Sequence, residues 1–196
     1  MNKRAILDSM KEVLSQGEAL LGALDDAAYT SRVPAAFNAS VGGHYRHCLD
    51  HFQSVFDGLD AAEIDYDDRK RDPRIETVRE VALNQTRQLL RASDGLGAWI
   101  LDFPIHARSK VSYAVDESPS AHSTVAREIM FCVVHAIHHY ALIRVMCGML
   151  NAPVPEGFGV APSTIKHQKS AVLLRGRCAG SQDPEGAPVQ QLDRAA

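Results

Sequence analysis

Apolar side chains recur along the start of the chain at spacings of three, four and seven, with Ile6, Met10, Val13, Leu14, Leu20, Leu21 and Leu24 forming one stripe. That period belongs to an amphipathic helix, and it predicts a first helix ending near Asp25. Pro34 and the Asn38-Ala39-Ser40 stretch interrupt the pattern. Either Asn38 or Ser40 offers an N-cap oxygen for a second helix from about Val41 to Leu59. Asp72-Pro73 then places a capping carboxylate and an N1 proline ahead of Val78, Leu83, Leu89 and Leu90, so a third helix is expected to run to about Ala92. Gly95 and Gly97 break helix, and Trp99, Ile100, Phe103, Ile105, Val111, Tyr113 and Val115 favour extended backbone. This stretch reads as a crossover containing a small hairpin. Ser123 is the expected cap of a long apolar helix that continues through Leu150 and stops at Asn151-Ala152-Pro153.

The order of elements predicts an all-α fold, a four-helix bundle with a long crossover between helices three and four. The bundle domain is expected over residues 1–167. From about Gly176 the composition turns to Gly, Pro, Gln, Asp and Ala, and residues 168–196 are expected to form a disordered tail. A hydrophobic content of 45% over 196 residues is enough for one sizeable core.

A net charge of −3 argues against nucleic acid or an anionic membrane surface as the main partner and favours a small-molecule substrate. The basic run from Arg69 to Arg74 is interleaved with Asp72 and has no aromatic platform, so it reads as solvated loop. Asp65, Asp67 and Asp68 resemble the start of a calcium loop, but the required glycine is missing. The longest wholly apolar run, Ile129 to Val134, is far below the roughly 20 residues of a membrane span, so no membrane segment is expected. Met1 to Gln16 carries charges throughout, unlike a secretory signal. Cys48, Cys132, Cys147 and Cys178 are scattered, the first three within apolar helical patterns, which suits a reducing, cytoplasmic location.

The chemistry is concentrated in histidine. Of nine histidines, six fall in two short helical stretches, His44, His47 and His51 on helix two and His135, His138 and His139 on helix four. At 100° per residue the first three span an arc of about 60°, and His135 and His139 lie about 40° apart. His138 falls on the other side of His135, a less convenient partner. Several imidazoles packed together in a core leave polar nitrogens unsatisfied, and a divalent ion resolves that. Neutral imidazoles favour Zn²⁺, Ni²⁺ or Fe²⁺ over Mg²⁺, which prefers carboxylates. Glu128 lies two turns before His135 and about 20° from it, so it either faces the site or complements the helix dipole. Cys132 borders the same face, either as a further ligand or as a small core residue. The HAIHH run of His135–His139 lacks the glutamate that zinc proteases use as general base.

Ser40-Val41-Gly42 followed by His47-Cys48-Leu49-Asp50, together with His135-x-x-x-His139 in a late helix, resembles the DinB/YfiT-like superfamily of metal-binding four-helix bundles. The likeness spans roughly Met1 to Leu150. It implies that His47, His135 and His139 bind a divalent metal, with His44, His51 and His138 as alternates carried beside that pattern. It also implies frequent homodimers and relatives that include thiol-dependent S-transferases and isomerases, hence a low-molecular-weight thiol as a second cofactor. The additional domain of the iron-dependent ergothioneine-forming relatives is not expected here, nor is that chemistry.

An ion with only neutral ligands keeps its full charge and acidifies a bound water or thiol. His51 or Glu128 is then the expected proton relay in hydrolysis or thiol transfer on a small molecule. Two other readings follow from the same residues. A non-catalytic metal-binding or sensing protein needs its coordination closed by His51 or Cys132, and a purely structural bundle holds no metal.

Overall fold

The computed structural model describes residues 3–167, and the tail expected over residues 168–196 lies outside them. Six α-helices lie within residues 3–160: α1 (Arg4–Ala23), α2 (Asp26–Thr30), α3 (Val41–Gly58), α4 (Pro73–Thr77), α5 (Arg79–Asp94) and α6 (Val125–Met149), and a further helical segment covers 162–167. Short 3-10 turns occupy Pro34–Ala36 and Ala98–Asp102. Five strands accompany them, β1 (Arg32–Val33), β2 (Ala39–Ser40), β3 (Glu63–Asp65), β4 (Pro104–Arg108) and β5 (Ser120–Thr124). The fold is therefore mostly helical with small sheets, where the sequence alone led to an all-α expectation.

The four long helices are those the periodicity predicts. Helix α1 packs on α5 and α6, and α3 packs on α5 and α6. Their facing stripes, among them Leu14, Leu20 and Leu21 of α1, Leu49 and Phe52 of α3, Leu89 of α5 and Ile129, Tyr140 and Ile143 of α6, are almost wholly buried. Burying each such side chain contributes about 1.5–3 kcal/mol. Helix α6 is long and apolar enough to cross a membrane by length and composition. In this fold one face of it is the core of the bundle, and the other leaves Met130, Val134, Leu142, Val145 and Met149 exposed.

Caps settle where the helices begin. Of the two candidates before α3, Ser40 is the cap, its Oγ accepting from the Gly43 N–H at 3.0 Å. Asn38 instead sits in the left-handed region at φ 59°. Ahead of α6 the cap is Thr124, one residue later than expected, with Oγ 3.3 Å from the Arg127 N–H. The Ser123 hydroxyl is engaged elsewhere, on Glu128. The third helix is split. Asp72 caps α4 as its composition suggests, but Val78 is extended (φ −128°, ψ 101°) and α5 starts afresh at Arg79. The break lets α4 dock: the Tyr29 hydroxyl donates to the Ile75 carbonyl at 2.5 Å. A Cβ on Gly42 would stand 2.1 Å from the Glu76 carbonyl oxygen, so α3 and α4 meet there backbone to backbone.

The hairpin expected in the crossover is β4–β5, antiparallel with Ile105 opposite Ser123. Strand β3 joins it in parallel, Ile64 beside Ala107. This small sheet tethers the segment after α3 against the N-terminal end of α6.

The chain divides into two units, with the boundary between Val160 and Ala161. The six α-helices, the 3-10 turns and the strands belong to the first. The described part of the second begins with a helical turn, the Thr164 and Ile165 N–H groups donating to the Ala161 carbonyl at 2.9 and 3.1 Å.

Candidate metal centre

Helices α3 and α6 carry the two histidine clusters, and their contact brings the clusters face to face. Among the described residues, the three-residue group whose ligand atoms converge is His47, His135 and His139, all within 4.8 Å of one another. The Nε2 atoms of His47 and His135 are 2.9 Å apart. The His139 ring lies 4.7 Å from that of His47 and 4.6 Å from that of His135. Three nitrogens held about 2.0–2.1 Å from a tetrahedral ion lie about 3.3 Å apart, so the triad fits such an ion with small side-chain adjustments. The spacing of four between His135 and His139 puts both on one stripe of a rigid helix, and α3 supplies the third from across the interface.

The alternates separate by what their nitrogens already hold. His44 Nδ1 lies 2.9 Å from His139 Nδ1. With His139 as the donor, its Nε2 lone pair remains for an ion, and His44 takes the orienting place that an N–H acceptor usually fills beside a metal-ligating histidine. His51 is buried, and its Nδ1 donates to the His47 carbonyl at 2.8 Å, which leaves Nε2 to accept from Arg69 Nη1 at 3.2 Å. Both His51 nitrogens are thereby engaged, while its ring packs 4.5 Å from His47 and 4.2 Å from His135. His138 is exposed, 5.6 Å ring to ring from His139, and stands apart from the convergent group.

Electrostatics favour ligation. Burial, then the neighbouring His51 and His139, hold His47 far below its ordinary value, at about 2. Burial is also the main cause that lowers His51, His135 and His139 to about 4. At neutral pH these rings are uncharged, each with a lone pair, the state a divalent ion requires.

Around the triad stands a layer that the sequence pattern did not announce. The Tyr66 ring stacks on His51 at 5.3 Å and meets Phe131 at 5.2 Å, and Phe131 stacks on His135 at 5.6 Å. Tyr66 Oη donates to Glu128 Oε2 at 2.8 Å, and Ser123 Oγ donates to Oε1 at 2.5 Å. Glu128 is thus buried with both oxygens held by hydroxyls, and reaches the histidines through Tyr66. Cys132 is buried, its thiol pushed up to about 12 mainly by desolvation, and Sγ donates to the His51 carbonyl at 3.5 Å. It lies outside the convergent group. Cys48, Cys132 and Cys147 are all free thiols.

Arg69 is the residue most at odds with its sequence context. Read as solvated loop, it is instead turned back onto His51. The acids before it make the turn: Asp65 Oδ1 accepts from the Asp67 and Asp68 N–H groups at 2.8 and 3.1 Å, a side-chain-closed reversal that consumes the carboxylate a calcium loop would need. The alternation Ile64-x-Tyr66, both buried, is the signal in the sequence that this segment is anchored.

Comparison with known proteins agrees with the geometry. Residues 10–143, more than half of the chain, match the family model described as the DinB superfamily. Among curated proteins, "FK506-binding protein 5" of Rhizopus delemar is 32% identical over 106 residues, 54% of this chain and 28% of that protein. The chain thus spans under a third of the length of that relative. No solved structure matches. A triad with its two-plus-one histidine spacing, on the helices that the family model covers, leads to one conclusion: the chain belongs to the DinB superfamily.

Proposed function

We propose that the chain is a metal-dependent enzyme on a DinB-type helical bundle, acting on a small molecule by hydrolysis or thiol transfer. The observation that carries this reading is the count of free donors. His47, His135 and His139 converge, while His51 and Cys132, the residues able to close the coordination sphere, are each bonded elsewhere. Three protein ligands with open positions is the pattern of catalytic zinc, whereas structural sites are closed by four. The same donor set suits Zn²⁺, Ni²⁺ or Fe²⁺.

When bound, the ion supplies positive charge that acidifies a coordinated water or a low-molecular-weight thiol. The chain's own residues do the rest. His44 fixes the His139 ring, and the Phe131 and Tyr66 rings wall one side. His51, in ring contact with two of the ligands and able to take a proton at Nε2 only on releasing Arg69, and Glu128, linked through Tyr66, are the groups proposed to take or pass a proton. A small-molecule substrate, a cytoplasmic location, no nucleic acid and no membrane partner complete the proposal, supported by the near-neutral charge. A homodimer is proposed on family likeness, with the exposed apolar stripe of α6 as supporting observation. FK506 binding is in the name of the Rhizopus relative, of which 28% is matched, and it carries no weight for this chain.

The test is metal content and turnover of wild type, His47→Ala and His139→Ala, with ester hydrolysis and transfer of a thiol to a small electrophile as the reactions. Loss of metal and of activity together is the expected result. Unchanged metal stoichiometry in both variants would sink the reading. Metal retained in wild type without either activity favours the non-catalytic binding or sensing protein.

A further inference from the structure

We propose that His106 and His122 form a second metal site, a surface pair of imidazoles on the β4–β5 hairpin that chelates one divalent ion of the Ni²⁺, Cu²⁺ or Zn²⁺ kind. None of the residues of the three-histidine centre takes part. Three of the nine histidines lie outside the helical clusters, and two of those, His106 and His122, sit one on each strand of the hairpin. They face each other in register, and their rings stand 4.3 Å apart, centroid to centroid.

The ladder explains why the rings meet. The Val125 N–H donates to the Phe103 carbonyl at 3.1 Å and the Ser109 N–H to the Pro119 carbonyl at 3.4 Å, so the odd-numbered positions of β4 form the hydrogen-bonded pairs. His106 and His122 therefore fall on a non-hydrogen-bonded pair, where Cα atoms approach to about 4.5 Å and the side chains leave one face of the sheet at their closest. That face is the outward one: Ile105 is buried, whereas both histidines are exposed. Among the described residues the contact of each ring is with the other, and no hydrogen bond or ion pair occupies their nitrogens. In its neutral form each ring offers a lone pair to an ion.

The surroundings suit a cation. Glu63 of β3 stands opposite His106, so Glu63, His106 and His122 form one row across the sheet, and Asp65, Arg108 and Ser120 form the next. Arg108 lies 3.4 Å from the Glu63 carboxylate and 3.8 Å from that of Asp65. Two acids thus offset the one guanidinium on this face. Because both carboxylates are held by Arg108, the protein contributes two nitrogens and water fills the remaining positions. Imidazole suits Cu²⁺, Ni²⁺ and Zn²⁺, with Cu²⁺ held most tightly, whereas Mg²⁺ and Ca²⁺ prefer oxygen. An ion shared by the two strands staples the hairpin from which Ser123, the residue after His122, donates to Glu128.

The experiment titrates the full chain with Zn²⁺ by calorimetry, after one equivalent has filled the three-histidine centre, and follows the histidine ring signals by nuclear magnetic resonance. We expect a second binding event in wild type that shifts the ring signals of His106 and His122. His106→Gln and His122→Gln, exposed changes expected to leave urea unfolding of the metal-free chain unaltered, should each bind this second ion about a hundredfold more weakly, the scale on which joining two sites raises affinity. His138→Gln, which removes an exposed histidine from α6 instead, should keep the second event. Equal affinity in wild type and both hairpin variants would overturn the proposal. So would loss of the event in His138→Gln, equal binding of Mg²⁺, or no second event in wild type, and the two rings would then be a packing contact between strands. Failure of the centre gives a different result: if the first equivalent of Zn²⁺ shifts His106 and His122 alone, the hairpin site stands and the three-histidine reading falls.

Discussion

Acidifying the metal-free protein from pH 6.5 toward 5 is expected to destabilise it steeply. His47, His51, His135 and His139 all have folded-state values well below the ordinary 6.5, about 2 for the first and about 4 for the others, chiefly through burial. The unfolded chain therefore binds protons that the folded chain refuses. Stability is unaffected above the unfolded value and is lost as pH falls through it, the loss continuing down to the folded values. At pH 5 an unfolded histidine carries about 0.97 proton and a folded one at about 4 carries about 0.1, so four rings differ by about 3.5 protons. Partial solvent contact and mutual coupling of the rings reduce this to about two. Two protons correspond to about 3 kcal/mol per pH unit. Urea unfolding followed by circular dichroism in the presence of a chelator, at pH 7, 6, 5.5 and 5, reads the slope directly. His135→Gln should lower it by about half a proton. A slope under about 0.5 kcal/mol per pH unit between pH 6.5 and 5 would refute the picture of a neutral, desolvated cluster.

Three further outcomes are expected. Tyr66→Phe removes one of the two hydroxyls that hold buried Glu128 and should cost about 1–3 kcal/mol in urea unfolding, while Ser123 alone cannot restore the lost donor. Gly42→Ala forces a methyl against the Glu76 carbonyl and should destabilise by about 1–3 kcal/mol, read as a lower thermal midpoint with α-helical content retained. Val134→Asp, on the exposed stripe of α6, should leave unfolding almost unchanged yet shift the sedimentation coefficient of the protein to that of a monomer. A species already monomeric at high concentration in wild type would remove the homodimer from the account.

The long helices were legible because burial repeats at their period: Leu14 and Leu21 in α1, Leu49 and Phe52 in α3, Ile129 and Ala136 in α6. The facing histidine stripes were legible for the same reason, since helix geometry fixes which side chains share a face. What separated His47 from His44 and His51 was not in the angular position. It lies in partners from other segments, the Nδ1 of His139 for His44 and the guanidinium of Arg69 for His51. The short strands were legible only where a hairpin was cued by extended-favouring residues around Ile105. Strand β3 pairs in parallel with a segment some forty residues later, and no local pattern encodes that register. The split between α4 and α5 had the same cause, a backbone contact of Gly42 with Glu76 that hydrophobic spacing does not record. Arg69 and Tyr66 escaped notice because a polar, mixed-charge run looks solvated until the sheet that anchors it is in view.

The central claim is that an ion is held by three histidines and keeps open positions. X-ray absorption at the metal edge of the loaded full chain tests it most directly. The account predicts three imidazole nitrogens at about 2.0–2.1 Å and one or two light atoms that exchange when acetate is added. A sulfur at about 2.3 Å, or a fourth imidazole closing the sphere, would contradict it.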